Sequence, residues 1–398
     1  MGAPTSPMDI FRMMREVSGD IMVGLDLGST FTVAIVNNTI SKAFASHGYP
    51  FDDQGPVYMG EARPANREAV SLKHAFYILA NASDSLVDQY PMVHKLRQHD
   101  SEAFRQKLRT GVLEFLRTIR GWILANMRKH WKIDRLSVTM PAQWGREFQD
   151  VFLSLIGEAF EWNPRTTREK VGFVKAADAL TRCLLSTPKY LDKVKAPNAD
   201  QVWLAIDFSE DILNASMFSV KHRAEGQPRS FRLEESFGVG GGIEHVLHNV
   251  MAACAVKCLN QASGPGHPMC PAIAEQIRDV FTDLPAGREW GPQQEGENPR
   301  PFMFGVPQPG AQPQKFLVFN FSQEEVTQIW NDAHKAAFQL VGNLLEKLKM
   351  RTVEAKPPLI IPQPVIFIAG GSIRNKPLKR TLSSMVQEAN LPAPIFID

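Results

Sequence analysis

The chain has 398 residues, 44% of them hydrophobic and 22% charged, with a formal net charge of +2. Such proportions describe a globular protein long enough for two lobes. A near-neutral charge gives no global field to recruit nucleic acid or a membrane surface, so neither is expected as a partner.

No apolar run approaches the roughly 18 residues of a membrane span, and no signal peptide is present, which points to the cytoplasm or nucleus. The cysteines are Cys183, Cys254, Cys258 and Cys270. Cys254 and Cys258 share a helical face, but no second Cys or His pair stands at zinc spacing, so reduced core thiols are expected. Met1-Gly2 with Ser6 has the outline of a myristoylation start. Pro4 and Pro7 crowd it and no polybasic anchor follows, so no lipid is expected.

Residues 1–19 read as a flexible leader. Ile21–Leu25 is an apolar run of buried-strand length, followed by Asp26 and a turn at Gly28-Ser29-Thr30. A second β-rich run, Phe31–Val36, leads away, and a third strand is placed near Ser41–Ala45. The turn offers a glycine, two hydroxyls and bare N–H groups, the makings of an anion-binding concavity, and Asp26 beside it suits a magnesium ion held through water. A tight hairpin without a ligand is the alternative. After a turn-rich loop and Tyr58–Ala62 comes Ser71–Phe76, which carries Lys73.

Helical spacing predicts a long amphipathic helix over Val112–Trp131, then a strand, Arg135–Met140, and a helix, Arg146–Phe160. A strand over Val171–Val174 and a helix over Ala176–Leu185 follow. Thr187–Asp200 is a connection and the expected lobe boundary. Gln201–Phe218 reads strand-turn-strand around Ser209-Glu210-Asp211, an acidic hairpin turn. The strand Phe231–Phe237 runs into Gly238–Gly242 and a helix over 243–260; glycines ahead of a helix N-terminus suit an anion cradle or a close strand-to-helix joint. A helix is expected over Pro271–Phe281, and the Gly-, Pro- and Gln-rich stretch 285–314 reads as a loop or irregular β excursion. The strand Phe316–Phe321 leads to Ser322, an N-cap with Glu325 placed to complete a capping box. Finally, Pro364–Ala369 is a buried strand, followed by Gly370-Gly371-Ser372-Ile373-Arg374, a helix and a short last strand.

Val23-Gly24-Leu25-Asp26-Leu27-Gly28-Ser29-Thr30 resembles phosphate loop 1 of the actin-like ATPase superfamily, in particular of the heat shock protein 70 family. Val138–Ala142 resembles the strand-Pro-Ala element of that family, Asp207–Asn214 its second phosphate loop, Gly241-Gly242 its Gly-Gly segment, and Gly370–Arg374 its adenosine motif, all in family order. The resemblance implies an α/β chain with the actin-like ATPase (ribonuclease H-like) fold. Its two lobes, 20–190 and 191–398, would flank a nucleotide cleft. It implies ATP or ADP as ligand with Mg2+ on Asp26 and Asp207, and catalytic roles for Lys73 and Asp207. Phosphate contacts would fall to Asp26, Gly28, Ser29, Thr30, Gly241 and Gly242, and adenosine contacts to Gly370, Gly371, Ser372 and Arg374. Glu275 and Arg278 are looser matches near the adenosine.

Two departures matter. The second loop of the family is glycine-rich, whereas here Ser209, Glu210 and Asp211 bring side chains and negative charge to the turn. By the same resemblance, Lys175 falls where the family has a glutamate that helps position magnesium-bound water. The chain stops where the family's nucleotide-binding domain stops, with no peptide clamp, so an adenine nucleotide and an unidentified protein partner are expected in place of a full chaperone cycle. The expected function is nucleotide binding with weak or absent hydrolysis. A working ATPase using Asp207, Asp211 or Glu210, or an interaction scaffold with an empty cleft, are the alternatives.

Overall fold

The computed structural model describes residues 20–51, 69–128, 131–191, 194, 201–221, 230–260, 290–293, 302–307, 316–353 and 364–397. The expected leader 1–19, Tyr58–Ala62, the helix over Pro271–Phe281 with Glu275 and Arg278, and most of 285–314 lie outside these residues.

The chain first lays down a meander. Strand β1 (Asp20–Leu27), β2 (Phe31–Val36) and β3 (Ile40–Ala45) pair antiparallel. In β1 the side chains of Ile21, Val23, Leu25 and Leu27 are buried, and the alternation puts Asp26 on the opposite face, exposed. Asn37 and Asn38 connect β2 to β3 with φ of 49° and 57°. Such left-handed pairs match the twist of a hairpin, and asparagine tolerates them. A two-stranded ribbon of β4 (His47–Gly48) and β5 (Val70–Ser71) leads into helix α1 (Leu72–Leu79).

Helices α2 (Asp84–Val87), α3 (Pro91–Gln98) and α4 (Glu102–Ala125) follow, then β6 (Lys132–Met140), α5 (Arg146–Phe160), α6 (Pro164–Lys170) and β7 (Val171–Lys175). β6 runs parallel to β1 and β7, which completes a sheet of order β3-β2-β1-β6-β7. Helix α4 starts at Glu102 and ends at Ala125, earlier at both ends than the expected Val112–Trp131. Its first turns are polar outside, with Arg105 on Asp100 at 2.7 Å, so the apolar stripe begins late. Ser101 caps it by accepting from the Phe104 N–H. The core of this half packs α1, α4 and α5 on the sheet, with Phe76 stacked on Phe152 at 4.1 Å between ring centroids.

The second half repeats the plan. After α7 (Ala176–Ser186) and α8 (Pro188–Leu191), strands β8 (Gln201–Phe208), β9 (Ile212–Lys221) and β10 (Ser230–Gly240) form another meander. Helix α9 (Ile243–Asn260) follows, then β11 (Phe302–Pro307), β12 (Phe316–Phe321), α10 (Gln323–Val353), β13 (Val365–Ala369), α11 (Lys376–Glu388) and β14 (Ile395–Phe396). The sheet order is β10-β9-β8-β13-β14, the first sheet's topology over again. Within the 285–314 stretch β11 is a regular strand, paired antiparallel with β12. Ser322 and Glu325 form the expected capping box, each side chain accepting from the other's N–H, at 3.2 and 2.8 Å.

Helix α7 joins the halves. Leu184 packs with Trp203, Phe218 and Phe367 of the second sheet, and Asp178 accepts from Ser216 and Ser236 at 2.8 and 3.0 Å. In return Ile212 sits in the first core. Among the described residues no helix is long and apolar enough to cross a membrane.

Candidate functional site

The duplicated topology brings two equivalent turns together, Gly28–Thr30 between β1 and β2 and Ser209–Asp211 between β8 and β9. They meet at a cavity of about 240 Å³ lined by residues of both halves, among them Asp26, Ser29, Lys73, Asp207, Glu210 and Gly370. Gly28, Thr30, Thr139 and Gly371 also line it. The first turn and the last motif therefore share one space.

The first turn is fixed by its neighbours. A Cβ at Gly28 would lie 2.2 Å from the Phe31 carbonyl oxygen, so only glycine fits. The Ser29 carbonyl accepts from the Ser71 hydroxyl at 2.8 Å, and the Thr30 carbonyl from the Ser46 N–H at 2.8 Å. The Thr139 hydroxyl donates to the Asp26 carboxylate. Lys73, on α1, is buried; its ammonium donates to the Ser29 hydroxyl at 3.3 Å and lies 3.7 Å from Asp211 Oδ1. Burial alone would lower its pKa, but Asp211, Asp207, Asp26 and Glu210 outweigh burial and raise it, so Lys73 is a cation.

The second turn departs from a phosphate loop in an informative way. Asp211 does not face the cavity. Its side chain turns inward, accepts from the Ser29 hydroxyl and pairs with Lys73. Burial pushes its carboxyl up, while Lys73, His74 and Ser29 pull it down further, well below the usual carboxylate range. Glu210 does line the cavity, and burial and Asp211 raise its carboxyl. Its carboxylate lies 2.6 Å from where a Cβ on Gly371 would stand. Burial pushes the Asp207 carboxyl up to about 6, with Lys73 pulling down and Asp26 adding to the rise.

The glycines after β10 sit behind this turn and off the cavity lining. The Gly241 N–H donates to the Asp211 carbonyl at 3.1 Å, so it is spent inside the protein. A Cβ at Gly242 would lie 2.5 Å from the Glu210 carbonyl oxygen. The last motif is tied to the same turn: the Ser372 hydroxyl donates to the Ser209 carbonyl at 2.6 Å. Gly370 has φ +108° and passes so close to Phe208 that a Cβ would meet its carbonyl oxygen at 2.2 Å. Arg374 is exposed and outside the lining.

Sequence reasoning singled out the carboxylates, the lysine, the hydroxyls and the glycines of the two turns; it did not single out Ser46 and Ser71 behind the first turn, Thr139 as an Asp26 partner, or His74, whose Nε2 lies 3.5 Å from Asp211 Oδ2. A polar residue directly after a candidate lysine on a buried helix was the available signal for His74. The carboxylates Asp26 and Asp207 share the cavity, and Asp26 raises the Asp207 pKa. Two anionic oxygen donors beside open volume fit a hard divalent cation that keeps several waters.

No protein-family model matches the chain, and no curated protein matches it in sequence. Solved structures do match in fold. MreB5 of Spiroplasma citri bound to ADP has a TM-score of 0.56 at 12% identity, covering 95% of this chain and 92% of that one. MreB5 of Spiroplasma citri bound to AMPPNP has a TM-score of 0.52 at 13% identity, covering 95% and 91%. With two sheets of repeated topology around one cavity and this likeness along nearly its whole length, the chain has the actin-like ATPase fold.

Proposed function

We propose that the cleft binds an adenine nucleotide, ATP or ADP with Mg2+, and that hydrolysis there is weak or absent. The observation that carries the reading is the shared cavity: Asp26–Thr30 and Gly370–Gly371, from opposite ends of the chain, line one volume. About 240 Å³ is below the roughly 300–1,000 Å³ typical of pockets for drug-sized ligands, so it suits the phosphate end of a nucleotide, with the adenosine beyond the enclosed part. Asp26 and Asp207 would hold the metal, and Lys73 with the turn N–H groups would meet phosphate oxygens. Two MreB5 structures of the same fold hold ADP and AMPPNP.

Weak hydrolysis follows from the second turn. Glu210 brings a carboxylate to the cavity, and Lys73 and Ser29 are already engaged by Asp211. Lys175 stands where the heat shock protein 70 family has its water-positioning glutamate. The chain then serves as a heat shock protein 70-like regulator, in which nucleotide sets the relation of the two halves and a protein partner reads it.

One observation favours a second reading, a working ATPase. Asp207 lines the cavity with its carboxyl near 6, closer than an ordinary aspartate to the working range of a general base. Titration calorimetry of the full chain with Mg-ADP and Mg-ATP, with phosphate release followed in parallel, tests both. Binding with release at background supports the first reading. Release abolished by Asp207→Asn supports the second. No heat from folded protein overturns both and leaves an interaction scaffold.

A further inference from the structure

A second cavity, of about 30 Å³, lies behind the acidic turn. Asp211 lines this one and not the larger. His74, Tyr90, Glu244, His245 and His248 supply its other polar walls, with Leu247 and Met251 on an apolar side. His74 Nε2 is 3.5 Å from Asp211 Oδ2 and 3.9 Å from Glu244 Oε2. One ligand atom from each of the three residues lies within 4.8 Å of the others.

His74 is the anomaly. Its side chain is 3% exposed, yet neither ring nitrogen has a hydrogen-bond partner. A buried polar group left so costs about 1–3 kcal/mol unless something else meets it. A metal ion would. Bonds of about 2.0–2.2 Å in a tetrahedral site put ligand atoms about 3.3–3.6 Å apart, so the two separations from His74 are within a few tenths of an ångström of that spacing, while the two carboxylates lie within 4.8 Å of each other. A cavity of about 30 Å³ has room for a water as fourth ligand, which needs about 10–15 Å³.

The surroundings support the same chemistry. Asp211 Oδ1 accepts from Ser29 and faces Lys73, which leaves Oδ2 directed at His74 and holds the carboxylate in place from behind. Packing against Tyr90, at 6.2 Å between ring centroids, fixes the imidazole. One imidazole with two carboxylates suits a first-row transition ion such as zinc better than magnesium, which prefers oxygen alone.

We propose that His74, Asp211 and Glu244 form a binding site for a zinc-class divalent metal ion, completed by a water. The site stands independently of the nucleotide reading, because none of its test arms uses nucleotide.

The experiment uses the full chain, stripped with a chelator and titrated with Zn2+, Co2+ and Mg2+ by calorimetry and visible absorption. The expected result is one equivalent of Zn2+ or Co2+ bound, no comparable Mg2+ binding, and a four-coordinate Co2+ spectrum without a thiolate charge-transfer band. Glu244→Gln, at a side chain 25% exposed and therefore expected to fold, should lose more than the roughly 10–100-fold typical of an outer-shell change. His74→Ala should lose binding, with folding checked by circular dichroism. Absence of binding would leave His74 facing the two carboxylates with no ion between them, and would overturn the proposal. A thiolate band, placing the metal on cysteine, or unchanged affinity in Glu244→Gln would overturn it equally.

Discussion

Lys73 and Asp211 lie 3.7 Å apart with side chains only 6% and 4% exposed, one on α1 of the first half and the other in the β8–β9 turn of the second. The cation best placed to meet a phosphate is thus already met by an anion of its own chain. The Ser29 hydroxyl, donating to the same carboxylate, is in the same position. On the nucleotide reading proposed above, Asp211 would compete from within the chain with an incoming phosphate.

Asp211→Asn therefore separates stability from binding. Removing one partner of a buried pair costs about 3–5 kcal/mol, and the remaining carboxylates around Lys73 keep the loss toward the lower figure. ATP affinity should rise as Lys73 and Ser29 are released. Urea denaturation and calorimetry on one preparation read both, and a variant that binds ATP more weakly would show that Asp211 supports the site instead.

Glu210→Gln should strengthen ATP binding more than ADP binding, because the longer phosphate chain adds charge nearest the acidic turn. Relief of one repulsion at a few ångströms in a wet cleft is about 1 kcal/mol, or about five-fold. Affinities measured at low and high salt check it. The gain should shrink with salt.

Asp207 gives a pH test. Its carboxyl stands at about 6 in the folded chain against an ordinary 3.8, because burial disfavours the charge. A raised carboxyl contributes stability that is fully present below the ordinary value and is lost as pH rises through about 6, up to about 3 kcal/mol in all. Asp207→Asn escapes that loss. Relative to the natural chain it should gain stability between about pH 4 and pH 8 in denaturant titrations; a constant difference would contradict the assignment.

Gly370→Ala and Gly371→Ala should behave differently although adjacent. At Gly370 a φ of +108° and a Phe208 carbonyl oxygen 2.2 Å from the new Cβ both oppose the change. The backbone conformation alone costs about 1–3 kcal/mol. At Gly371 the nearest atom is the mobile end of Glu210, at 2.6 Å, which can swing away. Thermal unfolding should show a clear fall in Tm for the first and a small change for the second.

The sequence made the scaffold legible wherever burial was complete. The strands β1, β8 and β13 announce themselves as apolar runs, and Ser322 with Glu325 marks the start of α10. The start of α4 was hidden because its first turns carry charge outward and its apolar stripe begins only near Leu108. The glycines of the turns were legible too, since at Gly28 and Gly370 a Cβ would meet a backbone carbonyl oxygen at 2.2 Å. What a turn's side chains face was not. Asp211 and Glu210 are neighbours in sequence, yet one points into the core and the other to the cleft. His74 and Glu244 meet Asp211 only through the packing of the two halves, which no local spacing encodes.

Amide hydrogen exchange with and without Mg-ATP tests the central idea most directly. A nucleotide held at both ends should slow exchange at Ser29–Phe31 and at Gly370–Ile373 together, in one saturable step. Protection of only one of the two segments, or of neither at saturating nucleotide, would contradict it.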